Sequence, residues 1–242
     1  MKKIILLLSL VGVFSFATAQ RAALDQTPRK LFDEGKEMFL EENYTGAYDI
    51  LSEFLNQSKD ADLIEQAEYF MAASTYYRNT PNSGNILKEF LEKYPETAYN
   101  HHIKFMIGSF HFDEKDWSKT LFWLDQANLD YLSPTEQEDY SFRSAYANLQ
   151  EGNKDEATRL FGLLAQNSSK YGDAGDFYYG YIDYTKGNYD SALTRFQRLR
   201  NNPEFAQEVA FYTAQSAFSK VTLKKQSVFQ MHLLITTRKA NI

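Results

Sequence analysis

An all-α array of stacked helical hairpins is the fold the sequence predicts. Three observations lead to it. A small residue recurs at separations of 39, 34, 37 and 35 positions, at Gly35, Ser74, Gly108, Ala145 and Gly180. Each is followed 12 positions later by a second small or apolar residue, at Ala47, Ile86, Thr120, Ala157 and Ala192. Between the two lies a short polar turn, and apolar residues on both sides keep helical spacing.

The copies read as follows. Gly35 precedes the turn Asn43-Tyr44-Thr45-Gly46-Ala47, and Leu31 to Phe54 forms the first hairpin. The second copy, Ser74 with Ile86, has an extended turn, Thr80-Pro81-Asn82-Ser83-Gly84. Gly108 precedes Asp116-Trp117-Ser118-Lys119-Thr120, and Ala145 precedes Gly152-Asn153-Lys154-Asp155-Glu156-Ala157. In the fifth copy Phe177, Gly180, Tyr181 and Tyr184 share a helix face before Gly187-Asn188. Gly tolerates the left-handed conformation of a helix end and Asn is next best, so that pair stops the helix. Ala192, Phe196 and Leu199 stripe the partner helix, and Asn201-Asn202-Pro203 ends it. Small residues let two antiparallel helices approach closely. A large residue four positions on (Leu51, Phe90, Leu124, Phe161 or Phe196) then fills the space one turn away. One hairpin cannot bury both faces, so neighbours must stack.

The chain has 242 residues, 43% of them hydrophobic, which is enough to bury a core. With 17 Tyr and 19 Phe against 5 Pro and 11 Gly, it is neither disordered nor fibrous.

The recurring pattern resembles the tetratricopeptide repeat over residues 28–218. The resemblance is carried by the Gly-Asn-Tyr-Asp-x-Ala string at 187–192 and the Tyr94-Pro95 and Asn202-Pro203 stops. It implies a right-handed superhelical solenoid of about five and a half repeats. The departures are the overlong second copy, and Ile86 and Thr120 where Ala is usual. The resemblance also implies a concave groove lined by the first helix of each repeat, which binds peptides or protein segments. Its groove positions fall on Phe105, Phe112, Phe142, Tyr146, Phe177, Tyr181 and Tyr184, an aromatic strip expected to grip a partner. Lys36 and Arg78 are expected to orient an acidic end of that partner. Aromatic side chains bury much area with few rotatable bonds, which suits such a strip.

No chemistry-bearing motif competes with this reading. There is no Cys, no Gly-x-Ser-x-Gly elbow, no His-Glu-x-x-His and no glycine-rich phosphate loop. His102 and His111 are nine positions apart, off a shared helix face. Neither catalysis, a bound metal nor a cofactor is therefore expected.

Residues 1–19 read as a secretory signal: Lys2 and Lys3, an uncharged run of 13 residues from Ile4 to Phe16, then Ala17-Thr18-Ala19 before a cut at Gln20. Thirteen helical residues span roughly 20 Å, short of a bilayer's apolar core of about 30 Å. Gln20 stands where a lipid-bearing Cys would be needed, so no direct membrane anchor is expected after cleavage. Loss of Lys2 and Lys3 leaves 24 basic and 32 acidic residues, a net charge of −8 that disfavours nucleic-acid binding. The signal and the aromatic-rich repeats together resemble exported proteins of Gram-negative bacteria of the Bacteroidetes type, periplasmic or associated with the outer membrane. The expected function is an envelope scaffold that holds a peptide segment or helix of a partner protein. The alternative is a glycan-binding protein of the outer-membrane starch-binding type, although those carry a lipid-modified Cys and long inserted loops.

A sixth first helix is expected over Glu204 to Phe218. Residues 219–242 show no clear helical stripe and carry five Lys and Arg with no Asp or Glu. This atypical basic tail is read as a foreign end, from truncation or a shifted reading frame, ahead of a degenerate cap or a contact tail.

Overall fold

A computed structural model describes residues 27–240, with side chains described as far as residue 232. The predicted signal segment lies outside the described residues. Eleven α-helices follow one another along the described chain and pack in sequentially adjacent pairs, a helical-hairpin array. The chain divides into two compact units, before and after the boundary between Phe110 and His111.

The first unit contains α1 (Pro28–Leu40), α2 (Tyr44–Gln57), α3 (Ala61–Tyr77), α4 (Ser83–Lys93) and most of α5 (Asn100–Asp113). Its core starts where α1 meets α2: a Cβ at Gly35 would lie 2.6 Å from Leu51 Cγ, so only a bare backbone fits there. Phe32, Phe54 and Phe70 meet in tilted pairs, 5.6 and 6.4 Å from Phe32, which ties α3 to the first hairpin.

The second unit holds the last turn of α5 and then α6 (Trp117–Leu124), a 3₁₀ turn (Leu129–Tyr131), α7 (Pro134–Gln150), α8 (Lys154–Asn167), α9 (Gly172–Lys186), α10 (Tyr189–Leu199) and α11 (Ala206–Ala240). Its core advances stepwise. Ala145, Ala157, Phe161, Leu164 and Ile182 join α7, α8 and α9. Phe177, Ala192, Phe196, Leu199 and Val209 join α9, α10 and α11. α8, α9 and α10 thus each bury one side against the helix before and another against the helix after, as a hairpin array requires.

The repeat is sharpest in the backbone of the turns. Glu42, Asn79, Lys115, Gly152 and Gly187 all adopt left-handed φ, between 53° and 84°. In each case the next residue's N–H reaches back five positions: Asn43 to Met38, Thr80 to Thr75, Asp116 to His111, Asn153 to Asn148 and Asn188 to Asp183, all at 2.8–2.9 Å. This is the Schellman closure, which satisfies carbonyls that a helix end would otherwise orphan. Asn43 and Asp116 then cap the following helix by accepting from Gly46 and Lys119 N–H at 3.1 Å.

Two sequence expectations change. In the second copy α4 buries Ser83, Gly84, Leu87 and Phe90, while Ile86 is only half-buried. The small residue is Gly84, five positions after left-handed Asn79 as Ala47 is after Glu42, so this copy runs from Ala72 to Gly84 and not from Ser74 to Ile86. Beyond Phe218 the chain continues as helix to Ala240, where no helical stripe is legible. Phe218, Val221, Val228, Phe229 and Met231 are all more than half exposed along it. That explains the missing stripe: as far as residue 232 this stretch buries no face, so its apolar residues keep no helical period.

Candidate functional site

The aromatic residues of the second unit form two linked clusters. The first gathers Phe112 from α5, Trp117 from α6, and Phe142 and Tyr146 from α7. Phe112 meets Trp117 at 5.4 Å and Tyr146 at 5.7 Å, and Trp117 meets Tyr146 at 5.5 Å, all edge to face. The Arg143 guanidinium lies 5.5 Å from the Phe112 ring centre. Tyr178 of α9 extends the cluster, 5.4 Å from Tyr146 and 5.0 Å from Phe161. Burial pushes its phenol up to about 12. Phe142 stacks on Tyr171 at 4.4 Å.

The second cluster centres on Tyr212 of α11. Tyr181 and Tyr184 each meet its ring at 5.3 Å, and Phe177 lies 6.3 Å away. Burial raises the Tyr212 phenol pKa, and Tyr181 and Tyr184 add to the rise. Phe177 and Tyr178 join the clusters at 5.2 Å.

Phe112, Phe142, Tyr146, Tyr181 and Tyr184 are half-buried, so each packs part of its ring and leaves part open. They come from successive first helices of the hairpins, α5, α7 and α9, within one unit. Phe177 is different. It is 8% exposed, stacked on Phe205 at 5.0 Å, and spends its surface on the core. Phe105, Lys36 and Arg78 belong to the first unit. Phe105 is 4% exposed and likewise part of the core. Lys36 is half-buried on α1; Arg78 is exposed at the end of α3, its guanidinium 5.9 Å from the Tyr48 ring. Tyr178 and Tyr212 were missed because their spacing from the small residues differs from that of the expected groove positions.

The loop between α8 and α9 is held against α7 by charge. Glu138 accepts from Ser168 Oγ, from Ser169 Oγ at 3.3 Å and from Lys170 N–H at 2.9 Å, and these bonds hold its carboxyl below the ordinary range. Asp139 accepts from Lys170 Nζ at 2.6 Å and from the Tyr171 hydroxyl at 2.8 Å. Tyr171 is thereby fixed where it stacks on Phe142. On the other side of α9, buried Asp176 accepts from Arg195 at 2.6 Å, and the Arg195 guanidinium sits 3.9 Å from the Tyr179 ring centre.

Among the described residues, no group of three or more His, Asp or Glu side chains could hold a metal ion, and no helix is long and apolar enough to cross a membrane. No protein-family model matches the chain, and no curated protein matches it.

Proposed function

We propose that this chain is a tetratricopeptide-type scaffold that works by holding a segment of another protein. The binding face is the partly open aromatic ladder of the second unit: Phe112, Phe142, Tyr146, Tyr181 and Tyr184, backed by Tyr178 and Tyr212. One observation carries the reading. Half-buried rings from three successive first helices are braced edge to face, so each presents apolar surface at little further entropic cost. A rigid aromatic face of this kind suits an apolar helix or extended segment. Export to the bacterial envelope and the absence of a catalytic role belong to the same proposal, supported by residues 1–19 and by the lack of catalytic motifs.

The test is affinity capture from periplasmic extract, with the mature chain as bait beside Tyr146→Ala and Tyr181→Ala variants. One protein recovered by the wild type and lost with both variants supports the scaffold. Retention on polysaccharide with no protein recovered turns the reading toward a glycan-binding role.

A further inference from the structure

The second unit carries a groove on the side of α7 away from the aromatic ladder. It follows from one short helix. α6 has 8 residues, against 14 in α2 and α8 and 11 in α4 and α10. The helix that flanks α8 on this side therefore stops early, and a 3₁₀ turn replaces its end. The opening comprises two adjoining hollows of about 600 and 370 Å³, which share Ser141, Leu160 and Leu163. Leu163 is 46% exposed on its floor and Leu129 37% at one end. Ser141, Ser144 and Asn148 line the α7 wall. At roughly 100° per residue they lie across the helix from Phe142 and Tyr146, so this surface is distinct from the aromatic face.

Most of the groove's polar groups are already engaged. Gln137 donates to the Leu129 and Leu132 carbonyls at 3.0 Å. Asn148 donates to the Ser144 carbonyl at 2.9 Å and accepts from Asn153 at 3.2 Å. Arg159 is bonded twice to Glu156, at 2.6 and 2.9 Å. A sugar needs free donors and acceptors, and these walls offer few. What remains is leucine surface, half-buried Tyr140, and the exposed carboxylate of Asp125, whose charge adds to burial in raising the Tyr140 phenol pKa.

We propose that this groove is a second docking site, for an amphipathic helix of a partner protein with aliphatic residues at i, i+3 or i+4, and i+7, and a Lys or Arg reaching Asp125. Leu160 and Leu163 take the aliphatic side chains, and Asp125 pairs with the cation. The helical form follows from the space: the groove runs along α8, whose 14 residues span about 20 Å, beside a flanking helix that ends early. The site stands apart from the aromatic face and from whatever that face binds.

The probe is a phage-displayed library of random peptides of about 16 residues, panned on the full chain. The expected result is a family of clones with that apolar spacing and a basic residue. Their binding falls at least about tenfold with Leu163→Asp and about two- to fivefold with Asp125→Asn, and is unchanged by Gln197→Ala on the exposed side of α10. Because Leu163 is nearly half exposed, Leu163→Asp should melt close to the wild type; Leu163→Ser gives the same readout should the Asp variant lose stability. Clones that ignore both substitutions, or that lack the basic residue, overturn the proposal. So does self-association of the chain, seen by sedimentation velocity and abolished by Leu163→Asp, which assigns the groove to a second copy. Specific oligosaccharide binding lost with Leu163→Asp overturns it as well.

Discussion

Gly175 is the position where the packing account is most exposed to test. It sits on α9 against α8, and a Cβ there would fall 2.6 Å from Ala165 N and 2.8 Å from the Phe161 carbonyl oxygen. Both are backbone atoms inside a helix, which cannot swing aside as a side chain can. Compared with ordinary contacts of about 3.5 Å, the shortfall is roughly 0.8 Å, so Gly175→Ala must push the two helices apart. Overpacking of that kind costs about 1–3 kcal/mol, and the rigid neighbours place it at the upper end. Ala gains about 0.5–1 kcal/mol over Gly as a helix former, which leaves a net loss of about 1–2 kcal/mol. The seam that opens is the one filled by Ala157, Phe161 and Leu164, so the loss should appear as cooperative weakening of α8 and α9. The assay is urea unfolding followed by circular dichroism, with hydrogen exchange to locate the change. Gly162→Ala is the control: it meets only the Tyr179 ring, at 3.2 Å, which can yield, so its net effect should stay near zero. A Gly175→Ala protein as stable as wild type, or more stable through helix propensity, would refute the close approach of α8 and α9.

The other predictions are quickly stated. Glu42→Gly and Lys115→Gly should each stabilise the chain by up to about 1 kcal/mol in the same assay, since both residues hold a left-handed φ that Gly adopts freely. Asp176→Ala should cost about 2–4 kcal/mol, because it strands Arg195, whose side chain is 17% exposed, without its carboxylate. At high pH the unfolded chain ionises its tyrosines near 10, while folded Tyr178 holds its proton to about 12. The folded state then binds more protons, so the stability from this group, complete below pH 10, declines as pH rises from 10 toward 12. Tyr178→Phe should flatten part of that decline in urea midpoints measured against pH. In acid the sign reverses. Hydrogen bonds to Glu138 hold its folded value below the ordinary 4.5, so the clamp on the α8–α9 loop persists at neutral pH and weakens as pH drops below that value. Exchange of the Lys170 and Tyr171 amides should rise there and not between pH 6 and 8.

Much of the fold was legible because close helix crossings demand small residues. Gly35, Ala145 and Gly180 announce the first helices, and Ala47, Ala157 and Ala192 the second, all buried as their spacing implies. Turn chemistry was only partly legible. Gly152 and Gly187 mark the left-handed position, but Glu42, Asn79 and Lys115 occupy it without a glycine to signal it. The second copy hid its own register, since Ser74 and Ile86 keep the 12-residue gap while buried Ala72 and Gly84, also 12 apart, hold the equivalent places. The aromatic face was half legible. A single sequence does not say which side of a ring meets the next repeat, and Phe105 and Phe177 turned inward while Phe112, Tyr146 and Tyr181 stayed partly open. The groove beside α8 left no mark in the periodicity, because it comes from a helix that stops early.

Site-specific photo-crosslinking tests the central claim most directly. A benzophenone side chain placed at Tyr146 or Tyr181 in the full chain, and at exposed Gln197 of α10 as reference, is irradiated in cells. The account predicts one protein adduct shared by Tyr146 and Tyr181 and absent from Gln197. Adducts equal at all three positions, or none at Tyr146 and Tyr181, would contradict it.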